Sequence, residues 1–288
     1  MHRPPAPLPE PLGPVFTYRE AIALGVTSGR LRHRSLTTPT PGVRVAEGEV
    51  DVRARAAAIA QLLPPGSAFS HHTAAALLGL PVPDDDRLHV TVPDGMRMRR
   101  QGVVEHRGMQ RREVGYVDDI PTTSPAQTWM DLAASLSLEE LIILGDAIMH
   151  SCPEHGVLLR SMVVDNPGAR GIRRAREAVE LIRPGVRSPQ ETLWRLRFRA
   201  AGFTEPKLNE DVRDRNERWL GMADFVWRDQ RVVVEYDGDY HFTVEQRRLD
   251  QARRRAMRDA DWNVIEINGT DNHDPTPAMR TIGRALGH

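Results

Sequence analysis

Residues 222–241, reading M-A-D-F-V-W-R-D-Q-R-V-V-V-E-Y-D-G-D-Y-H, constrain this chain more than any other stretch. Two apolar runs, 223–227 and 232–236, flank the polar patch Arg228-Asp229-Gln230-Arg231. That is the pattern of two short strands joined by a tight turn. With Asp229 and Gln230 as the turn's central pair, residues whose numbers sum to 459 lie opposite each other, and Asp224 faces Glu235. Cross-strand Cβ atoms sit roughly 4.5–5.5 Å apart, so two carboxylates converge on one small volume. Like charges there raise each other's pKa unless a cation lies between them. Alternation puts Val233, Glu235 and Asp237 on one face and Val232, Val234 and Tyr236 on the other. A carboxylate among branched apolar neighbours is costly to bury unpaired. A hard divalent ion would relieve both penalties, and Mg²⁺ commonly uses one or two such carboxylates with waters and phosphate. The plainer reading is an edge strand whose Glu235 and Asp237 point to water, with Gly238 turning the chain.

The 288 residues suit two domains better than one. No apolar run is long enough to cross a bilayer. The opening M-H-R-P-P-A-P-L-P-E-P-L-G-P has no apolar signal region. Residues 1–14 therefore read as a proline-rich, disordered tail, with a cytoplasmic location and no membrane partner expected. A single cysteine, Cys152, excludes an internal disulfide and a cysteine-based zinc site. With 39 basic and 39 acidic residues the net charge is zero, so overall charge does not announce a nucleic-acid binder.

Residues 16–34 read as two short helices, with Gly25 ending the first and Thr27 or Ser28 capping the second. The second carries Arg30, Arg32, His33 and Arg34, and T-T-P-T-P-G-V-R-V then fits a small β-wing that includes Arg44 and ends near Val45. Helix, turn, basic helix and wing is the layout of a winged helix-turn-helix DNA reader, although a short arginine-rich helix is also what a solvated face looks like. Further on, 52–63 is an amphipathic helix, Ser70 caps a helix running to Leu78, 88–92 and 103–106 are strands, and 122–135 and 138–149 are helices. The pair His71-His72 invites a metal reading. Adjacent histidines at a helix start point apart, however, and no partner stands at ligand spacing, so both read as structural.

The ordered succession F-x4-A, G-V-T-S-x-x-L, S-H-H-T-A-A-x-L-x-G-L-P, H-V-T-V-P and P-T-T-S-P-A-Q-T-x-x-D-L-A resembles the AbiEi-type antitoxin and transcriptional-regulator family over about residues 15–150. The resemblance implies a winged helix at 15–50 on an α/β domain at 51–165, DNA as a partner through Arg30, Arg32, Arg34 and Arg44, and a toxin or other protein as a second partner.

In the second half, 153–167 reads as a linker with a short helix and 166–185 as a linker helix rich in arginine. Ser188 is a good N-cap with Pro189 in the first helical position, and Glu191 stands where a capping-box glutamate belongs. The same carboxylate could instead point from the helix start toward the acids of the hairpin. A helix over 244–260 follows, with Leu249, Ala252 and Ala256 as its apolar stripe and Arg247, Asp250 and Arg254 on another face. A strand at 262–267, a turn at Asn268-Gly269 and a closing helix at 276–286 complete the chain.

Taken together, Pro189-Gln190-Glu191, Ala223-Asp224-Phe225, Val234-Glu235-Tyr236-Asp237-Gly238 with His241, and Arg247…Asp250…Arg254 resemble the very-short-patch-repair-like branch of the PD-(D/E)XK nuclease superfamily. The expected fold is thus α/β in two parts, the second (186–288) a restriction-endonuclease-like domain with a mixed sheet flanked by helices. The resemblance implies Mg²⁺ or Mn²⁺ on Asp224, Glu235 and Asp237, with Glu191 as the helix-borne acid. His241 would be the general acid or base, and Arg247 and Arg254 would hold the phosphodiester backbone. The signature lysine two residues after Glu235 is missing; Asp237 stands there, and Lys207 is the only lysine. The function expected is a metal-dependent endodeoxyribonuclease acting in defence or repair. Its rivals are a non-catalytic DNA-binding regulator or antitoxin with a degenerate nuclease-like domain, and a domain acting on RNA.

Overall fold

Consecutive apolar residues in the central C-terminal strands, Phe225-Val226-Trp227 and Val232-Val233-Val234, leave both faces of a sheet to be covered, and helices cover both. The structure is a computed structural model that describes residues 5–46, 51–238 and 244–288, without the side chains of Val244, Gln246 and Arg247. The chain divides into two compact units, Met1–Ile148 with Glu154–Leu181, and Ile182–His288 with Met149–Pro153. Both are mixed α/β. Among the described residues, no helix is long and apolar enough to cross a membrane.

The N-terminal unit begins with β1 (Val15–Thr17), α1 (Tyr18–Ala23), α2 (Ser28–Leu31) and β2 (Val43–Val45). Thr17 and Glu20 form a capping box on α1, and Thr27 caps α2. Two expectations change here. The second helix is a single turn ending at Leu31, so only Arg30 lies within it. The segment after it is bonded locally instead, with the Ser35 N–H donating to His33 Nδ1 at 3.2 Å. The stretch expected as a wing closes on itself through a single antiparallel bridge, Thr37–Val45, with N–H···O distances of 2.9 and 3.0 Å, and the strand ending at Val45 pairs in addition with β1, antiparallel from Val15–Val45 to Thr17–Val43. The described part of the proline-rich tail is also partly engaged, because Leu8 and Leu12 pack against Phe16, Ala21, Val26, Leu31 and Leu36.

The unit continues with α3 (Val52–Ala60), β3 (Ala68–Phe69), α4 (His71–Leu77), β4 (Leu88–Val92), β5 (Val103–Arg107), β6 (Val114–Val117), β7 (Ile120–Thr123), α5 (Pro125–Leu132), α6 (Leu138–Ser151), α7 (His155–Asp165) and α8 (Ile172–Leu181). The strands form one mixed sheet in the order β5-β4-β3-β7-β6. Every residue of β4 is buried. Leu88, Val90 and Val92 join Ala56, Ile59, Phe69 and Leu77 in the main core, which leaves His89 and Thr91 on the opposite face. Residues 153–167 are not a linker with a short helix: α7 has 11 residues and buries Leu159 and Val163.

The C-terminal unit runs α9 (Pro189–Ala200), β8 (Lys207–Arg213), β9 (Trp219–Trp227), β10 (Val232–Asp237), α10 (Val244–Asp259), β11 (Asn263–Asn268), α11 (Gly269–His273) and α12 (Thr276–Leu286). Its sheet has the order β11-β10-β9-β8. The β9–β10 register is Val232–Trp227, Val233–Val226 and Val234–Phe225, the pairing that the turn chemistry predicts. β11 returns parallel to β10 after the α10 crossover. Trp194 and Phe198 of α9 and Ile282 of α12 pack on Phe225, Trp227, Val232, Val234 and Ile267. Met257 of α10 packs on Val212, Ala223, Val226 and Val233 from the other side.

Three details were not expected. β8 is an edge strand with only Leu208 and Val212 as apolar residues, too few to show a period of two. Asn268-Gly269 starts α11 rather than a turn, because Asn268 and Asp271 make a capping box. The apolar stripe of α10 is also misplaced: Leu249 is 66% exposed, while Met257 is fully buried. The helix lays Arg253, Arg254 and Met257 on the sheet, and the reason lies in the carboxylates beneath it.

Candidate functional site

The β9–β10 ladder stops one step short of Asp224 and Glu235. At that step the Tyr236 N–H donates to Asp224 Oδ2 at 2.8 Å, so a side chain takes the place of a backbone carbonyl and the strands fork. Asp224 is only partly accessible. Its carboxyl is pushed up to about 6, first by burial and then by the negative charge of Glu191 and Glu235, against the Tyr236 N–H and Arg253. The convergence of acids from two strands and a helix start is therefore felt electrostatically at Asp224.

Of the two roles open to Glu191 the capping box is left incomplete, because its carboxylate takes the Arg187 N–H and not that of Ser188, while its charge is felt at Asp224. Ser188 Oγ accepts from the Glu191 N–H at 3.2 Å and caps α9. The Glu191 carboxylate accepts from the Arg187 N–H and Ser188 Oγ, each at 2.9 Å, and from Asn209 Nδ2 at 2.5 Å. Asn209 belongs to β8, so the unforeseen edge strand holds the helix-borne acid in place.

Glu235 is 3% exposed and is already neutralised. Arg253 Nη1 lies 2.8 Å from Oε1, and Arg254 Nε lies 2.7 Å from Oε2. Arg254 also pairs with Glu266 at 2.7 Å and approaches Asp237 at 3.7 Å, and Arg253 donates to the Met222 carbonyl and to Asp250. Next to Glu235, the cation that the convergence of charges demands is thus the chain's own guanidinium. Gly221 makes this possible, since a Cβ there would stand 2.6 Å from Arg253 Cδ, and its φ of +151° suits glycine alone. Arg254, expected to hold a phosphate, is committed to three carboxylates. Asp237 is 45% exposed at the strand end. His241 lies outside the described residues, as does the Arg247 side chain.

The basic candidates of the N-terminal unit divide in two. Arg30 Nε donates to the Ala6 carbonyl at 2.7 Å and its Nη1 to Ser35 Oγ at 3.1 Å. Arg44 donates to the Leu31 and Val43 carbonyls at 2.8 and 2.9 Å and stacks over the Tyr18 ring. Arg32 and Arg34 are exposed.

Sequence reasoning missed a nest of histidines in the same unit. His71 and His72 open α4, His89 sits on the non-core face of β4, and His106 lies on β5 in the register Thr91–His106, hence on the same face as His89. His89 Nδ1 is 3.0 Å from His106 Nε2, and His89 Nε2 is 3.0 Å from Asp85 Oδ2. The His71 ring stacks on His106 at 3.6 Å, with His71 at φ +52°, a strained conformation for a residue with a side chain. Burial and neighbouring histidines push His71 and His106 down to about 3 and lower His72 as well. Ser70 caps no helix N–H; it accepts from Thr91 Oγ1 at 2.7 Å and meets His71 Nδ1 at 2.9 Å. Among the described residues, His71–His89–His106 and His72–Asp85–His89 each offer ligand atoms within 4.8 Å of one another; the acids of the C-terminal unit form no such group. The alternation in L-H-V-T-V marks His89 alone, as a histidine on a buried strand; it carries no signal for the residues that gather around it.

No family model matches the chain. Two proteins of Mycobacterium tuberculosis, the uncharacterized protein MT2308 (strain CDC 1551 / Oshkosh) and the uncharacterized protein Rv2248 (strain ATCC 25618 / H37Rv), are each 27% identical to it over 249 residues, covering 85% of this chain and 90% of theirs.

Proposed function

We propose that the C-terminal unit is a Mg²⁺- or Mn²⁺-dependent endodeoxyribonuclease of restriction-endonuclease-like fold, and that the N-terminal unit is a winged-helix DNA reader. The elements α9, β9–β10, α10 and β11 follow the helix, hairpin, helix, strand succession on which the very-short-patch-repair-like resemblance rests, with β8 added at the sheet edge. The observation that carries the reading is Asp224. It is a partly buried carboxyl at a fork between strands, beside two more acids, and among the described residues its hydrogen-bond donor is a neutral backbone N–H. Such a group fits a cation. Glu235 fits one only when it gives up Arg253 or Arg254. A divalent ion here supplies a Lewis acid for a phosphoryl oxygen.

The chain's own residues do the rest. Glu191, fixed by Ser188 and Asn209, holds negative charge beside Asp224. Arg254 exchanges Glu235 for a phosphate oxygen when nucleic acid arrives, because guanidinium groups bind carboxylate and phosphate in the same bidentate geometry. His241 moves the proton.

A second reading is favoured by the same ion pairs. With Glu235 locked by two arginines and no lysine at position 237, the domain serves as the scaffold of a DNA-binding regulator or antitoxin, with a toxin or other protein as partner. Incubation with single-stranded, duplex and mismatched DNA and with RNA, in Mn²⁺ or Mg²⁺, separates the two. The nuclease reading expects cleavage that Asp224→Ala abolishes. Retained DNA binding without cleavage of any substrate establishes the scaffold.

A further inference from the structure

We propose that His72, Asp85 and His89 form a second cation site, in the N-terminal unit, that takes a divalent transition metal of the Zn²⁺ class. The three residues come from the first turn of α4, the loop before β4, and β4 itself, and their ligand atoms all lie within 4.8 Å of one another. Asp85 Oδ2 and His89 Nε2 are 3.0 Å apart. Zinc bonds to nitrogen and oxygen of about 2.0–2.1 Å in a tetrahedral site place neighbouring ligand atoms about 3.3 Å apart, so this pair already stands near ligand spacing. His72 contributes the least satisfied group of the three: its Nδ1 is buried and has no hydrogen-bond partner among the described residues.

Neighbouring groups orient the ligands. His106 Nε2 stands 3.0 Å from His89 Nδ1, which fixes the ring and leaves Nε2 for the ion. Arg87 grips Asp85 through its N–H at 2.9 Å and its guanidinium at 2.9 and 3.0 Å. Such partners ordinarily hold metal-bound histidine and carboxylate in place. Two imidazoles and one carboxylate select Zn²⁺ or a neighbouring transition ion over Mg²⁺, which prefers oxygen throughout. Three protein ligands leave a fourth position open, and an ion held there ties the loop carrying Asp85 to α4 and β4.

The test uses the full chain carrying Asp224→Asn, so that the site proposed in the C-terminal unit is silent. Stripped of metal, this protein is titrated with Co²⁺ and then Zn²⁺ by visible absorption and calorimetry. The site predicts one saturable equivalent of Co²⁺ displaced by Zn²⁺, with no response to Mg²⁺. Affinity falls by at least about a hundredfold in His72→Gln and in Asp85→Asn, falls about tenfold in His106→Gln, and is unchanged in His71→Gln. Asp85 lies in a loop, so Asp85→Asn keeps the fold readable by circular dichroism even if His72→Gln unfolds. No saturable Co²⁺ or Zn²⁺ binding overturns the proposal. So does binding that survives both His72→Gln and Asp85→Asn, or binding that His71→Gln alone removes.

Discussion

The Asp224 carboxylate takes its hydrogen bond from the Tyr236 N–H, 2.8 Å away, one step beyond the last backbone pair between β9 and β10. The fork puts an acid where a ladder bond would otherwise form. Its cost and its use are two sides of one arrangement: the ionised form is disfavoured by burial and by Glu191 and Glu235, and for the same reasons it welcomes a cation.

Asp224→Asn separates these two sides. A carboxyl raised from 3.8 to about 6 contributes stability that is fully present below about pH 4 and lost as pH rises through about 6. The difference is about 3 kcal/mol at 1.36 kcal/mol per unit, as an order of magnitude. Asparagine keeps an acceptor for the Tyr236 N–H and carries no charge. In chelator, urea unfolding of the variant at pH 7.5 shows a gain of about 1–3 kcal/mol over wild type that shrinks toward pH 4, whereas with Mn²⁺ supplied the variant fails to cleave DNA that wild type cleaves. A loss of stability at pH 7.5 contradicts the electrostatic account.

The Glu235 pairs are enclosed enough to matter. Removing one partner of a buried ion pair typically costs about 3–5 kcal/mol, but each arginine here leaves the other behind. Arg253→Met and Arg254→Met are expected to cost about 1–3 kcal/mol each, and the double variant more than their sum, because Glu235 is then buried without a counter-charge. A double-mutant cycle by chemical denaturation measures the coupling.

Gly221→Ala tests the path of Arg253. The added methyl meets Arg253 Cδ at 2.6 Å on a backbone that disfavours a side chain, and it drives the guanidinium off Glu235. The expected loss is about 2–4 kcal/mol, read in the denaturant midpoint; it is smaller but not abolished when Arg253 is already Ala, because the backbone strain and Met257 Cε, 3.1 Å from the added methyl, remain.

Within the N-terminal unit, the arginines are predicted to behave differently. Arg44→Ala frees the Leu31 carbonyl and costs about 1–2 kcal/mol of stability. Arg32→Ala and Arg34→Ala, both exposed, leave the melting temperature alone and lower DNA affinity, with a shallower dependence on salt. Fluorescence anisotropy at several salt concentrations distinguishes them. Affinity indifferent to both exposed arginines places DNA elsewhere.

The hairpin register, the alternating faces of β10 and the caps at Thr27 and Ser188 were legible in the sequence because each depends on residues a few positions apart. Burial period and turn chemistry are local, and the facing of Asp224 and Glu235 follows from them. The edge strand β8 was not legible, having too few apolar residues to show its period.

Neither the histidine nest nor the Glu235 lock could be read this way. His72, Asp85, His89 and His106 meet only after β4 and β5 pair in parallel and α4 lies over them, and no spacing along the chain encodes that. The face that α10 presents to the sheet was likewise decided by tertiary contact. Against a buried carboxylate, two guanidinium groups are better neighbours than Leu249, so the helix turned its arginines inward and left the leucine in water. Hydrophobic periodicity ranks side chains by their cost in water; it is blind to the charge waiting beneath them.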